Sequence, residues 1–180
     1  MIRDIHGVVE QAFAFGFDHA ALLATETLVL RSEVRDMCAA GKCGMYNKNW
    51  VCPPACGSFE EISARLAGYQ KGIIVQTTAE LEDEFDFEGM KEAAELQKAR
   101  FTAFRKALLE AWPALVALGS GGCRLCEKCA WPDSPCRRPE EAFMSMEAAG
   151  LLVSDVCQSN GLAYYYGPKT LTYTGCFILE

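Results

Sequence analysis

Four closely spaced cysteines in the second half of the chain constrain its folding more than any other feature. Cys123, Cys126 and Cys129 recur at every third position, and Cys136 follows after a loop that contains two prolines. Three thiols at this spacing can bind three corners of a 4Fe-4S cluster from one tight loop, while a fourth thiol binds the last corner. The motif therefore predicts an iron-sulfur site, around which its loop must fold.

The spacing of this motif separates an iron-sulfur site from its alternatives. A zinc site usually takes two separate Cys-x-x-Cys pairs, which would leave Cys126 without a role. Bacterial two-cluster ferredoxins place the fourth cysteine after three residues and follow it directly with proline. Here six residues separate Cys129 from Cys136, and Pro139 comes three positions later. The motif thus favours an iron-sulfur cluster over zinc, and it matches the ferredoxin pattern only in part.

A second set of four cysteines lies within nineteen residues in the first half of the chain: Cys38, Cys43, Cys52 and Cys56. Glycine, asparagine and proline are frequent across residues 38–56, and so long an irregular stretch is expected to need a structural ligand. Pro53 fixes the backbone directly after Cys52. Cys56 precedes a helix predicted to begin at Ser58, where the helix dipole favours an anionic thiolate. The sequence therefore predicts a second four-thiol metal site.

The eight loop cysteines can be paired with two clusters in two ways. Each set can bind its own cluster, or the sets can exchange one thiol, as in two-cluster ferredoxins. We favour local pairing, because each set already supplies four thiols and long loops cost little extra closure entropy. Cys157 and Cys176 lie outside both sets, and lone thiols on a helix and a strand are more often small core residues. A dithiol or a thiol that faces a substrate is the alternative for these two.

Composition and charge bound the class of protein. With 180 residues, of which 51% are apolar, the chain is expected to form one iron-sulfur domain over residues 1–180, with cysteine loops at 38–56 and 123–139. The net charge of -7 disfavours nucleic acid as a partner. The N-terminus lacks the features of a secretory signal, and no apolar run approaches the roughly 20 residues of a membrane span. We therefore expect a soluble, cytoplasmic protein.

Apolar periodicity and capping residues predict the secondary structure. Helices are expected over residues 4–16, 32–37, 58–68, 86–112, 139–150 and 153–159. Strands are expected over residues 20–24, 72–78, 114–118, 163–166 and 171–179. Strands interspersed with helices indicate an α+β (mixed α/β) fold, in which a central mixed sheet is covered by helices and the two cysteine loops lie at its edge.

Three blocks of sequence carry a family resemblance: residues 49–54 (Asn-Trp-Val-Cys-Pro-Pro), the cysteine motif with residues 135–139, and residues 145–150 (Ser-Met-Glu-Ala-Ala-Gly). In these blocks the chain resembles an uncharacterised prokaryotic family of predicted metal-binding proteins, a domain of unknown function. The resemblance implies a metal site and no particular reaction. We interpret residues 145–150 as a helix end that packs on the cluster, with a substrate contact as the alternative. Cys157 and Cys176 are outside the pattern.

The leading functional hypothesis is a protein with two 4Fe-4S clusters that passes single electrons to or from a redox partner protein. Neither a Rossmann nor a P-loop fingerprint is present, because the glycines at 119, 121 and 122 precede cysteines instead of opening a helix. His6 and His19 are the only histidines, and we expect both to be surface or packing residues. Six acidic residues between Glu80 and Glu88 can steer a basic partner, but an exposed, solvated helix start is the favoured explanation for them.

Two further functions are compatible with the sequence. A reductive enzyme or activator would use one cluster on a bound substrate or cofactor, with Arg124, Arg137 or Arg138 holding an anionic group. These arginines can equally balance the charge of a cluster. A zinc-binding interaction module is the third hypothesis. The sequence assigns no catalytic residue, and a homo-oligomer is compatible with it.

Overall fold

Five strands form one open, mixed sheet. The computed structural model describes residues 4–180, with the exception of the His6 side chain. The strands are β1 (His19–Ala24), β2 (Lys71–Glu80), β3 (Val116–Gly119), β4 (Met144–Ser145) and β5 (Thr170–Ile178). They lie in the order β1-β2-β5-β3-β4. All neighbours are antiparallel except β3 and β4, which are parallel. The predicted mixed sheet is confirmed.

Six α-helices accompany the sheet within residues 4–180: α1 (Ile5–Ala14), α2 (Ser32–Ala39), α3 (Phe59–Leu66), α4 (Phe87–Leu109), α5 (Met146–Ala149) and α6 (Val153–Ser159). The two predicted caps are present. Ser58 and Glu61 form a capping box at the start of α3. The Asp86 carboxylate accepts a hydrogen bond from the Gly89 amide at 2.8 Å and so begins α4. Residue 6 lies in α1, but its side chain is outside the described part, so the prediction for His6 stays open.

The sheet is packed on both faces, which gives a three-layer arrangement. Ile73 and Val75 of β2 lie with residues of α1 and α4 in one buried cluster. Ile74, between them, lies in a second cluster with residues of α3, α5 and α6. This alternation follows from the two-residue period of a strand, which sends successive side chains to opposite faces. The apolar run that predicted β2 is continuous because both faces of the strand are covered.

Two predicted elements are wrong. The helix expected over residues 139–150 is replaced by a turn, the two-residue strand β4 and the single-turn helix α5. Met144 and Ser145 pair with β3, and the Ser145 hydroxyl then caps α5 by accepting from the Ala148 amide. The strand expected over residues 163–166 is irregular chain, with Tyr164 and Tyr165 largely exposed. Aromatic residues favour a strand only where it can pair and pack. Residues 163–166 pair with no strand of the sheet, and β5, which follows them in the chain, already has β2 and β3 as its neighbours.

Both cysteine loops are positioned by the edge of the sheet that carries β3 and β4. The first loop joins α2 to α3 and contains turns over residues 40–57. The second loop leaves the end of β3 and returns to β4. Helix α2 packs against α5, which directly follows β4, and the Arg31 amide donates to the Gly150 carbonyl at 2.8 Å. This contact brings the first loop to the side of the second.

No helix in the described part of the chain combines the length and the apolar composition that a bilayer span requires.

Candidate metal centre

The cysteines of the first loop lie near one another. Cys38 is in the last turn of α2, Cys52 is buried, Cys56 is half-buried and Cys43 is exposed. Burial raises the pKa of Cys38, Cys52 and Cys56, and neighbouring thiols raise it further. The Cys43 thiol raises the pKa of Cys38 and of Cys52, and the thiols of Cys38 and Cys52 raise the pKa of Cys56. The structure therefore gathers all four predicted ligands of this set into one neighbourhood.

Two polar side chains direct N–H groups toward these thiols. The Arg35 guanidinium lies 3.6 Å from the Cys56 sulfur and donates to the Gly57 carbonyl at 2.9 Å. Asn49 is 2% exposed, and its amide makes a hydrogen bond to Cys52 that opposes the effect of burial on the pKa of that thiol. Its oxygen also accepts from the Val51 amide at 3.1 Å, which fixes the turn. Such N–H groups stabilise thiolate ligands and tune the metal they hold.

The cysteines of the second loop surround a single cavity. Cys123, Cys126, Cys129 and Cys136 are all half-buried and line a space of about 250 Å³. This space equals the liquid volume of about eight waters at roughly 30 Å³ each. Four soft sulfur donors suit an iron-sulfur cluster. The volume between them is larger than the space that a single ion bound directly by four sulfurs requires. The structure thus places all four cysteines of the second motif around one space.

Two arginines fasten the second loop to itself. Arg137 donates to the Lys128 carbonyl at 2.8 Å, and Arg138 donates to the Leu125 carbonyl at 3.0 Å. Arg138 also forms an ion pair with Glu141 at 2.5 Å. The hydrogen bond to Glu141 is the main cause of the raised pKa of Arg138, and nearby thiols of the motif contribute. These two guanidiniums thus hold the loop closed around its cysteines.

The two loops are joined by reciprocal tryptophan contacts. The Trp50 indole N–H donates to the Ser134 carbonyl at 3.0 Å, and the Trp131 indole N–H donates to the Asn47 side-chain oxygen at 3.0 Å. The two rings meet edge to face, with centroids 4.7 Å apart. Each loop therefore donates one indole hydrogen bond to the other, and neither loop adopts this arrangement alone.

Cys52 lies between the two sets of thiols. Besides burial and Cys43, its pKa is raised by Cys123 and Cys129 of the second loop. The cavity lined by the second set is also lined by residues of the first loop, among them Asn49 and Trp50. At Gly122 the two loops touch, since a Cβ there would lie 2.8 Å from the Met45 side chain. The two sets of cysteines thus lie side by side, with Cys52 near thiols of the second loop.

The side chains are not arranged as a finished metal site. No three Cys, His, Asp or Glu side chains within residues 4–180 lie close enough together to hold one metal ion. The assignment of the eight thiols as ligands, and the choice between local and crossed pairing, accordingly remain predictions. The block at 145–150 lies against the first set, because the Cys56 sulfur is 3.9 Å from the Ala148 carbonyl.

The remaining cysteines and His19 are outside both loops, although Cys56 of the first loop packs against the core cluster that contains Cys157 and Cys176. Cys157 and Cys176 are fully buried in the core cluster under α3, α5 and α6, where small core thiols were expected. Burial, with a contribution from Cys157, raises the pKa of Cys176 to about 12, so this thiol stays protonated. The His19 ring stacks on Tyr166, with centroids 4.0 Å apart, and is a packing residue.

Sequence reasoning did not find every residue of the centre. Trp131 lies two positions after Cys129, yet no spacing rule connects it with Asn47 on the other loop. Arg35 precedes Cys38 by three positions on α2, so the helical period places both on one side of that helix. Asn49 and Trp50 did lie in the block that carried the family resemblance, and that block was the one signal for them.

A family model described as "Predicted metal-binding protein (DUF2284)" matches residues 21–179 of the chain. The matched region contains both cysteine loops and every strand from the middle of β1 to β5. Searches of curated proteins and of solved structures return no match.

Proposed function

Because the chain belongs to this family of predicted metal-binding proteins, we propose that it binds two 4Fe-4S clusters and transfers single electrons to or from a protein partner. The observation that carries the proposal is the cavity of about 250 Å³ lined by all four thiols of the second motif. The ligands in this proposal are Cys38, Cys43, Cys52 and Cys56 for one cluster and Cys123, Cys126, Cys129 and Cys136 for the other.

The position of Cys52 supports electron transfer between the clusters. Its thiol is electrostatically coupled to both sets, so the two clusters would be held by neighbouring thiols with no domain boundary between them. When bound, iron-sulfur clusters supply one-electron redox chemistry at potentials set by charge, hydrogen bonds to sulfur and exposure. Arg35 and Asn49 are the residues of this chain that would provide such hydrogen bonds.

The acidic segment that leads into α4 is the proposed docking site for the redox partner. Its six acidic residues accompany Phe85 and Phe87, whose side chains are 74% and 71% exposed. Exposed aromatic rings within a field of one sign are typical of protein–protein contacts that are steered by charge. The proposed partner is therefore a basic redox protein, and association should weaken as salt is raised.

Metal and sulfide analysis of anaerobically purified protein tests the proposal. Two clusters require about eight irons and about eight acid-labile sulfides per chain, and a visible absorption that bleaches on reduction. Colourless protein with stoichiometric zinc and no labile sulfide would contradict it and would support a zinc-binding interaction module.

A reductive enzyme or activator is the second candidate function. It is favoured by a cavity of about 510 Å³ that Cys123 and Arg124 line, because a small molecule there would contact the second cysteine loop. Arg137 and Arg138 are engaged within the loop, which leaves Arg124 to hold an anionic group. Reoxidation of the reduced protein separates the two functions. An electron carrier reoxidises with protein acceptors only, whereas the enzyme also reoxidises with a small molecule that is released as product.

A further inference from the structure

A large cavity lies beside the predicted cluster loop, between α4 and the segment Gly119–Gly122. Its volume of about 510 Å³ is within the range of small-molecule sites. The aromatic rings of Phe101, Phe143 and Tyr173 form part of its wall, and Phe101 and Phe143 contact each other with centroids 4.9 Å apart. An apolar, aromatic wall of this kind suits a planar molecule.

One wall of the cavity carries a buried amide without a partner. Gln97 of α4 is 2% exposed, and neither its side-chain nitrogen nor its oxygen has a hydrogen-bond partner within residues 4–180. The other fully buried glutamine, Gln76, shows the usual state. Its nitrogen donates to the Ala163 carbonyl at 2.9 Å, and its oxygen accepts from the Tyr166 hydroxyl at 2.7 Å. A buried side chain that leaves both donor and acceptor unused is rare and points to a missing partner.

A single ligand that pairs with both groups would offer an acceptor and a donor side by side, since an amide presents one N–H₂ group and one carbonyl. A lactam edge has this pattern. Two aligned hydrogen bonds in a site closed off by aromatic rings also discriminate strongly against molecules that lack either group.

The charges around the cavity favour an anion. Lys91, Lys98 and Arg124 line it, against Glu95 and Glu141. Glu141 is neutralised by its ion pair with Arg138, so cations exceed the remaining acid. In the described part of the chain the Arg124 guanidinium makes no hydrogen bond, although its backbone carbonyl accepts from Lys98. The chain as a whole has a net charge of -7, so a local excess of positive charge around one cavity favours the binding of an anionic group there.

We propose that this cavity binds a planar heterocyclic lactam that carries a carboxylate or a similar anionic group. Gln97 pairs with the lactam edge, the aromatic wall packs against the ring, and Lys98 and Arg124 bind the anion. Because Cys123 also lines the cavity, the bound molecule lies beside the second cysteine loop.

Calorimetric titration of the full chain, purified anaerobically with its metal, tests the site. Pterin-6-carboxylate is the probe, since it combines a fused lactam ring with a carboxylate. Pterin lacks the carboxylate, and 2-naphthoate lacks the lactam. We expect saturable one-to-one binding of pterin-6-carboxylate and at least tenfold weaker binding of each of the other two probes.

Two variants and one control assign the binding to the named residues. Gln97→Met keeps the length of the side chain and should weaken binding at least tenfold, while the Tm of the free protein stays the same or rises, because two unsatisfied buried atoms are removed. Arg124→Ala should weaken binding of pterin-6-carboxylate at least fivefold and leave that of pterin unchanged. Lys106→Ala removes a cation from the exposed face of α4 outside the cavity and should change neither.

Several results would overturn the proposal. The absence of saturable binding to folded, metal-loaded protein contradicts it, as do equal affinities for the three probes. A Gln97→Met protein that loses stability but binds normally would make the amide part of the fold instead of the site. If that variant fails to fold, the Arg124→Ala comparison of pterin-6-carboxylate with pterin still decides whether the cavity binds the anion. Iron content, measured on the same samples, separates loss of the cavity from loss of the metal.

Discussion

At the scale of single residues, the two groups of cysteines differ in their polar neighbours, although burial raises the pKa of members of both groups. The loop thiols share their neighbourhood with Arg35, Asn49 and one another. Cys157 and Cys176 lie among apolar residues, 0% exposed, with Gln76 and Thr174 as the polar neighbours of Cys157. An apolar environment keeps a thiol protonated and inert, whereas cations and N–H groups favour the thiolate that binds metal. The loop thiols are therefore the ones that should control metal content.

Replacement of Cys126 tests local pairing of the ligands. If each set binds its own cluster, Cys126→Ser removes one ligand of the second cluster and the protein should retain about half of its iron. Cys157→Ala is the matched control, because it removes a buried thiol outside both loops and should leave the iron content unchanged. Iron and labile sulfide per folded chain are the measurements. Loss of nearly all iron in Cys126→Ser, with the control intact, would contradict local pairing and indicate crossed ligands.

The spacing of the cysteines predicted them as site residues, but it could not predict which other residues surround them. A motif such as Cys123-x-x-Cys126 is visible because its members are close in sequence. Gln97 was not predicted as a site residue, since a polar residue within a long helix is normally on the exposed face, whereas this one is 2% exposed and lines a cavity. The contact of Trp131 with Asn47 spans 84 residues and is likewise set by the tertiary fold alone.

At the scale of elements, capping residues predicted the start of a helix correctly where the cap itself stabilises the first turn. Helices α3 and α4 begin at their predicted caps, Ser58 and Asp86, because these side chains bond to amides of the first turn. The predicted helix over residues 139–150 is wrong because Pro139 and the two glutamates after it satisfy the rules for a helix start, while pairing with β3 makes the chain extended further on, at Met144 and Ser145. The Arg105 side chain also binds the Glu140 carbonyl, which holds the turn. Tertiary pairing overrides propensity in such a segment.

The docking of the two cysteine loops should be measurable as an energetic coupling between their tryptophans. In a double-mutant cycle of Trp50→Ala and Trp131→Ala, the edge-to-face contact predicts a coupling of about 0.5–1.5 kcal/mol in the free energy of unfolding. Urea unfolding of the metal-loaded protein under anaerobic conditions provides the four free energies. Strict additivity of the two substitutions would show that the loops fold independently of each other.

At the scale of the whole molecule, the sheet and the two cysteine loops are ordered in different ways. The three-layer sheet has a buried cluster on each face. The first loop has turns over residues 40–57 and no helix or strand there, and the second loop has only turns and bends over residues 120–142. Order in these loops comes from hydrogen bonds within each loop, from side-chain contacts between the loops and, in the proposed function, from the clusters. Metal affinity then contributes directly to the stability of the loops.

Metal removal should therefore loosen the loops and spare the sheet. After anaerobic chelation, amide hydrogen exchange is expected to accelerate at least tenfold over residues 40–57 and 120–138, because these segments lose the ligand that orders them. Amides of β2 and β5 should keep their protection, since both strands are paired on each side and covered by helices. Uniform acceleration across sheet and loops would instead show that the metal supports the entire fold.

The reciprocal indole contacts also set an order of events during biosynthesis. Trp50 is synthesised well before its acceptor, the carbonyl of Ser134. Asn47 is likewise synthesised well before Trp131, whose indole N–H it accepts. The first cysteine loop consequently remains without the partner that closes it while residues 58–134 are synthesised. In the proposed function, the first loop would thus reach its closed, cluster-binding form only after Ser134 has been synthesised.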